Sequence, residues 1–323
     1  MFEQLIYKSL EYCLKSGKRE AADGLSILIY HRILETKDFL RPSEPTLEEF
    51  EWQMALLANY FTPLSLSEAF LGLQNKNLPR NAICVTFDDG YADNLELAAP
   101  VLKRWKIPAT VFISSGFLNG GIMWNDLIIE FLHSCEQPEL DLSHLDLGTF
   151  TISSRALKVS TCNQLLSKVK YLDFDERKRV VEELASLGWS LPKNLMMTEK
   201  QVLSLSRYGM DIGAHTLNHP ILSNISDEKA KDEIIGSKNH LEKLAGKKID
   251  FFAYPNGRYN IDFNEKHARF AQEAGFIGAL TTDQGVSSYS TNPYMLRRFT
   301  PWDKTPLKFF TRLHLNRTEK RII

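Results

Sequence analysis

Short apolar runs alternate with amphipathic stretches along most of the chain. SILIYH (26–31), AICVTFDD (82–89) and ATVFIS (109–114) are nearly continuous in apolar and β-branched residues, the pattern of strands buried on both faces. DIGAHT (211–216), FFAYP (251–255), FIGALTT (276–282) and YMLRRFT (294–300) continue the series. Between them, LEEFEWQMALLANYF (47–61), SLSEAFLGLQN (65–75), DNLELAAPVLKRW (93–105) and the stretches near 226–245 and 265–274 carry a helical period. Ser226, followed by Asp227 and Glu228, is a good helix start, and Gly246 and Gly275 are C-terminal stops.

This alternation predicts an α/β fold with a mostly parallel sheet. Roughly seven such units favour a distorted (β/α)7–8 barrel over an open doubly wound sheet. No GxGxxG follows the first strand to support a nucleotide fold. The rhythm breaks over about 124–197, where LDLGTFTIS reads as a hairpin and CNQLLSKVKYL and DERKRVVEELASLGW read as helices. That stretch reads as an insertion over one end of the sheet, either structural padding or a wall of a substrate groove. The expected organisation is an N-terminal helical segment (1–23), a main domain (24–316) and a tail (317–323).

Composition narrows the function classes. With 39 basic and 40 acidic residues, the chain has no general attraction to nucleic acid or anionic lipid. Cys13, Cys84, Cys135 and Cys162 form no CxxC pair, which argues against a thiolate zinc site and fits a reducing compartment. Cys84, inside an apolar run, is expected in the core. The start, MFEQLIYKSLEYCLKSGKRE, lacks the apolar stretch and cleavage site of a secretory signal, and no run is long enough to span a membrane. The expected location is cytoplasmic, with an extracytoplasmic or partner-associated one left open.

Two motifs carry the chemistry. Adjacent carboxylates, Asp88 and Asp89, follow an apolar strand and precede Gly90. Such neighbours repel, so the pair serves either as caps for the next helix or in a site that offsets its charge. His215 and His219, in GAHTLNHP, have an i, i+4 spacing that suits zinc on a helix, but Gly213 and Pro220 favour a strand end entering a loop. Both motifs fall at C-terminal strand ends, where α/β barrels gather their active sites. One carboxylate and two imidazoles make a three-ligand zinc site with room for water. The second carboxylate then faces that water as a general base.

TFDDGY and HTLNH resemble the polysaccharide deacetylases, the NodB-homology domain of carbohydrate esterase family 4. The resemblance extends over roughly residues 24 to 300, including APVLKRWKIPATVFISSGFL. It implies a metal-dependent hydrolase that removes N-acetyl groups from amino sugars of a poly- or oligosaccharide. By that resemblance Asp89, His215 and His219 bind a divalent metal, zinc with cobalt or nickel as alternatives, and Asp88 activates water. LIYH (28–31) matches the family's late histidine motif but stands early, as in the permuted poly-N-acetylglucosamine deacetylases. His31 is therefore the expected acid, with His314 in TRLHLN as its rival.

The chain departs from the family at FFAYPNG, where Ala253 replaces an arginine that orients the catalytic aspartate. Arg297 or Arg298 is expected to supply that cation, with Arg298 preferred, and the N–H of Asn256 to stabilise the oxyanion. Among Tyr30, Tyr91, Trp124, Tyr254 and Trp302, the first choices for sugar platforms are Tyr91 and Trp124, with plain packing the alternative for each. Two other functions compete: a non-catalytic carbohydrate-binding protein on this fold, and a metal amidohydrolase acting on a non-sugar amide.

Overall fold

The computed structural model describes residues 24–186, 191–192 and 194–318. The expected segment 1–23, Cys13 and residues 319–323 lie outside the described residues. The barrel strands are β1 (Ser26–Tyr30), β3 (Ala82–Phe87), β4 (Ala109–Ile113), β7 (Met210–Ala214), β8 (Phe251–Ala253), β9 (Gly278–Gln284) and β10 (Leu296–Arg298). They pair in that order, all in parallel. A short β2 (Thr62–Pro63) adds to the start of β3. Backbone bonds from Ile29 N–H to the Phe299 carbonyl (3.1 Å) and from Phe299 N–H to the Ile27 carbonyl (2.7 Å) bring the last strand back to the first. The result is a nearly closed barrel rather than an open sheet.

Period-two patterning divides the buried residues between inside and outside. Ile27, Cys84, Phe112, Ala253, Leu280 and Leu296 share the interior cluster, so Cys84 is a core residue as expected. Leu28, Val85, Val111 and Ile113 face the helical layer. The barrel narrows between β4 and β7, where a Cβ on Gly213 would lie 2.3 Å from the Phe112 ring. Helix α1 (Leu47–Tyr60) packs outside, and α2 (Leu66–Gln74) sends Leu66, Ala69, Phe70 and Leu73 into the interior cluster. Phe70 meets Phe251 at the N-terminal end of β8, which closes the lower mouth and leaves the C-terminal rim for chemistry.

The expected continuous helix 93–105 is instead a π-turn at Asn94–Ala98 followed by α3 (Ala99–Trp105). Pro100 has no N–H for the carbonyl four residues back, so the ladder widens and Ala99 N–H reaches Asn94. Beyond the barrel lie α4 (Trp124–Ser134), a hairpin of β5 (Glu139–Leu142) and β6 (Gly148–Thr151), α5 (Arg155–Lys170) and α6 (Phe174–Ser186). The hairpin begins earlier than LDLGTFTIS suggests, because Leu140 and Leu142 are its buried residues. These elements share a separate apolar cluster built on Ile128, Phe131, Leu142, Leu165, Val169 and Val180.

The remaining helices are α7 (Glu199–Ser204), α8 (Asp227–Ala245), α9 (Glu265–Glu273) and α10 (Pro306–Thr318). Ser226 caps α8 by accepting from Lys229 N–H, and Gly246 ends it in the left-handed region. Helix α10 runs into the stretch expected as a tail: Arg317 is buried and donates to Ser26 Oγ (2.9 Å) and the Ala82 carbonyl (3.2 Å). No helix among the described residues is long and apolar enough to cross a membrane.

Candidate active site

The turn after β3 separates the two aspartates. Asp88 N–H still pairs with the Tyr30 carbonyl, continuing the sheet, whereas Asp89 takes φ 74° and Gly90 φ 92°. A non-glycine residue in the left-handed region is strained, and here the strain turns the adjacent carboxylates apart. Arg298, fully buried at the end of β10, donates from Nη1 to Asp88 Oδ1 (2.7 Å) and from Nη2 to Oδ2 (2.8 Å). Its Nε donates to the Thr281 carbonyl, which fixes the plane of the fork. Burial alone would raise the Asp88 pKa; Arg298, then His215, outweigh it and hold the carboxyl at about 2. Arg297 points outward and is exposed.

HTLNH leaves β7 as a loop, not a helix. Thr216 and His219 have φ of 63° and 52°. Glu233 on α8 holds the loop, accepting from the N–H groups of Leu217 and Asn218 (both 2.8 Å) and from Asn218 Nδ2 (2.7 Å). Ser114, after β4, donates to the His215 carbonyl. His215 Nδ1 lies 2.7 Å from the Ala253 carbonyl, which can only accept, so that nitrogen carries the proton and Nε2 faces inward as a free base.

Asp89 Oδ1 lies 3.5 Å from His215 Nε2 and 3.4 Å from His219 Nε2. The ligand atoms of these three buried residues all lie within 4.8 Å of one another. Asp89 Oδ1 is buried with no hydrogen-bond partner. Burial pushes the Asp89 carboxyl up to about 7, with His31 opposing and Asp88 adding. Burial lowers His215 to about 4 against the pull of Asp88, and it lowers His219 strongly. Two neutral imidazoles and an orphaned carboxylate oxygen, out of water, are the donor set that a divalent cation completes. The residues therefore fit a metal.

These groups open onto a cavity of about 420 Å³. His31 lines it from the end of β1, and Asn94 Nδ2 holds the His31 carbonyl at 2.8 Å. Burial would lower the His31 pKa, but Asp89, Glu44 and Asp88 raise it above 6.5. Asn256 lines the cavity in a left-handed turn (φ 59°), and its backbone N–H makes no hydrogen bond among the described residues. Trp124, Leu166, Ser167 and Lys170 form the facing wall.

Other expected site residues stand elsewhere. Tyr91 is not an open platform: it is buried, its hydroxyl donates to Asp126 (2.7 Å), and Arg32 lies over its ring at 5.0 Å. Tyr30 donates to Gln53 within the core, and Tyr254 stacks on Phe263 at 3.7 Å. Trp302 is exposed beside Arg312, away from the cavity lining. His314 sits on α10, one turn before Arg317, which contacts the starts of β1 and β3. That is the opposite end of the barrel, so His314 has no access to the site. Sequence reasoning missed Asn94 and Glu233. Asn94 stands within DNLELAAPVLKRW (93–105), and Glu233 falls just before the buried Ile234 on α8.

Carboxylates and imidazoles converging on the C-terminal rim of a parallel barrel place the chain among the barrel hydrolases. Residues 75–276 match the family model described as Polysaccharide deacetylase, and the chain belongs to that family. YxkH of Bacillus subtilis (strain 168), named for the same family, is 24% identical over 283 residues, covering 87% of this chain and 72% of its own. The Streptococcus pyogenes deacetylase PplD, solved with acetate, shares the fold with a TM-score of 0.60 at 19% identity, over 90% of this chain and 98% of that one. IcaB from Ammonifex degensii does so with a TM-score of 0.58 at 20% identity, over 92% and 98%.

Proposed function

We propose that the chain is a metal-dependent N-deacetylase of acetylated amino sugars in a poly- or oligosaccharide. The observation that carries this reading is the clamped Asp88 beside the Asp89–His215–His219 cluster in one cavity with His31. Asp89, His215 and His219 would hold the ion. Bound zinc, or cobalt or nickel in its place, supplies a Lewis acid that polarises the acetyl carbonyl and makes water more acidic.

The chain's own residues do the rest. Asp88, kept ionised by Arg298, accepts the proton of the attacking water. A carboxylate held near pKa 2 is a weak base, so it relies on a water that is already acidic. The free N–H of Asn256 donates to the carbonyl oxygen as negative charge develops on it. His31, whose pKa is raised, gives its proton to the departing sugar nitrogen. Trp124 offers a ring on the facing wall for the sugar.

The test is acetate release by the zinc-loaded chain from N-acetylglucosamine oligomers, poly-N-acetylglucosamine and peptidoglycan fragments, with small non-sugar amides alongside. Acetate from any of the glycans, abolished by a chelator, supports the reading. Zinc-loaded protein that cleaves only small amides, or nothing, overturns it.

A further inference from the structure

A second cavity, of about 210 Å³, adjoins the catalytic one, and His31, Asp89 and Asn125 line both. One wall is the loop after β1, which carries Arg32, Arg41 and Glu44. The other is the start of α4, which carries Asn125 and Asp126. A sugar chain lying across His31 therefore places one unit in each cavity.

The charges of the second cavity are unbalanced. Arg32 pairs with Asp93 (2.8 Å) and approaches Asp126 (3.9 Å), and Arg41 pairs with Asp38 (2.9 Å), Asp126 (2.9 Å) and Glu130 (2.7 Å). Two guanidiniums thus meet four carboxylates, and His133 is a further partner for Asp38 alone. Glu44 lines the cavity as a fifth carboxylate, half-buried, and it has no ion pair among the described residues. Its Oε2 accepts a single hydrogen bond, from Arg32 N–H at 3.3 Å. Lys304 reaches the Glu44 carbonyl but pairs with the Glu49 carboxylate. Asn125, shared by the two cavities, has a side chain with no hydrogen-bond partner among the described residues. The guanidiniums are therefore already held, whereas a carboxylate and an amide remain open. That combination suits a ligand with hydroxyl groups and a positive charge.

Deacetylation makes such a ligand. Water adds to the acetyl carbon, the C–N bond breaks, acetate leaves and the nitrogen takes a proton. Each turnover leaves on the chain an amine that is cationic once protonated.

We propose that the second cavity takes the sugar next to the one being deacetylated, and that Glu44 favours that sugar with its amine already free. This rests on the deacetylase reading. The ammonium donates to the open Glu44 carboxylate, and Asn125 meets hydroxyls at the junction. One turnover then prepares the ligand for the next, so free amines accumulate in runs along the chain rather than at random.

The zinc-loaded chain is given trisaccharides whose central unit is N-acetylglucosamine, flanked on both sides by free-amine units or by the matching hydroxyl units. The flanks differ in charge and hardly in size. Acetate release and calorimetric binding are both read just below neutral pH. Amine flanks should raise kcat/KM about tenfold, and the ratio should shrink as salt rises. Glu44→Gln should cut that ratio severalfold, and Glu44→Asp should keep part of it. A loss by the same factor on both trisaccharides is what an effect through His31 alone gives, and it overturns the inference. Equal acetate release from the two by wild type also overturns it and leaves the deacetylase reading intact. A salt-sensitive binding preference that Glu44→Gln removes, without acetate from any oligomer, supports the cation site and overturns the deacetylase reading. If Glu44→Gln does not fold, the wild-type ratio decides, and a value near one overturns the inference.

Discussion

Arg298 grips both carboxylate oxygens of Asp88, although the two residues are 210 positions apart. The pair joins the last strand of the barrel to the second of its ring. Removing the cation leaves a buried carboxylate uncompensated, at a cost of about 3–5 kcal/mol. Arg298→Ala should therefore lower the melting temperature and reduce turnover, while elemental analysis still finds the metal. In the metal-free protein the Asp88 pKa is lowered by folding, so the pair stabilises above pH 3.8 and loses its effect as pH falls through about 2. Urea unfolding of wild type and variant across acidic pH should converge in that window. Unchanged turnover would remove Arg298 from the site.

The two aspartates should separate by assay. Asp89→Asn removes an anionic ligand and should weaken metal binding. Asp88→Asn should retain the metal and lower turnover by about a hundredfold or more. Equal metal loss in both variants would refute this division.

His31 should titrate above 6.5 in the metal-free protein, because Asp89, Glu44 and Asp88 outweigh its burial. The sign follows: folding favours the protonated ring, so this contribution is full below 6.5 and disappears as pH rises through the folded value. NMR titration of the ring protons reads it directly, and a value at or below 6.5 contradicts it. In the loaded enzyme, turnover should fall on the alkaline side, and His31→Ala should remove that limb.

Glu233 touches no expected ligand, yet it takes three hydrogen bonds from the loop between His215 and His219. Glu233→Ala should weaken metal affinity by roughly 10–100-fold, as loss of supporting bonds around a metal site does. Competition with a chromogenic chelator measures this. Affinity equal to wild type would show that the loop holds its shape alone.

Metal removal should also lower the melting temperature. A ligand at a thousand times its dissociation constant stabilises by about 4 kcal/mol, and re-addition of zinc should restore that increment. The double variant His215→Ala/His219→Ala should show neither the loss nor the recovery.

Much of this protein is local in origin. Buried β-branched runs announce parallel strands, and Asp88, Asp89, His215 and His219 declare themselves because each motif follows its strand directly. Even the loop form of HTLNH was legible, since Gly213 and Pro220 disfavour a helix there. Helix α4 escaped notice although WNDLIIEFLHS is amphipathic, because the broken rhythm around it hid the period. Periodicity reports which residues are buried but not what buries them. That is why the sequence preferred Arg298 without removing Arg297, put Tyr91 at the sugar when Arg32 covers it, and kept His314 as a rival acid. Those choices depend on closure of the barrel, which brings Phe299 back to β1 and turns Arg298 inward onto Asp88. Residues far apart in sequence acquire partners only when the strands between them have paired.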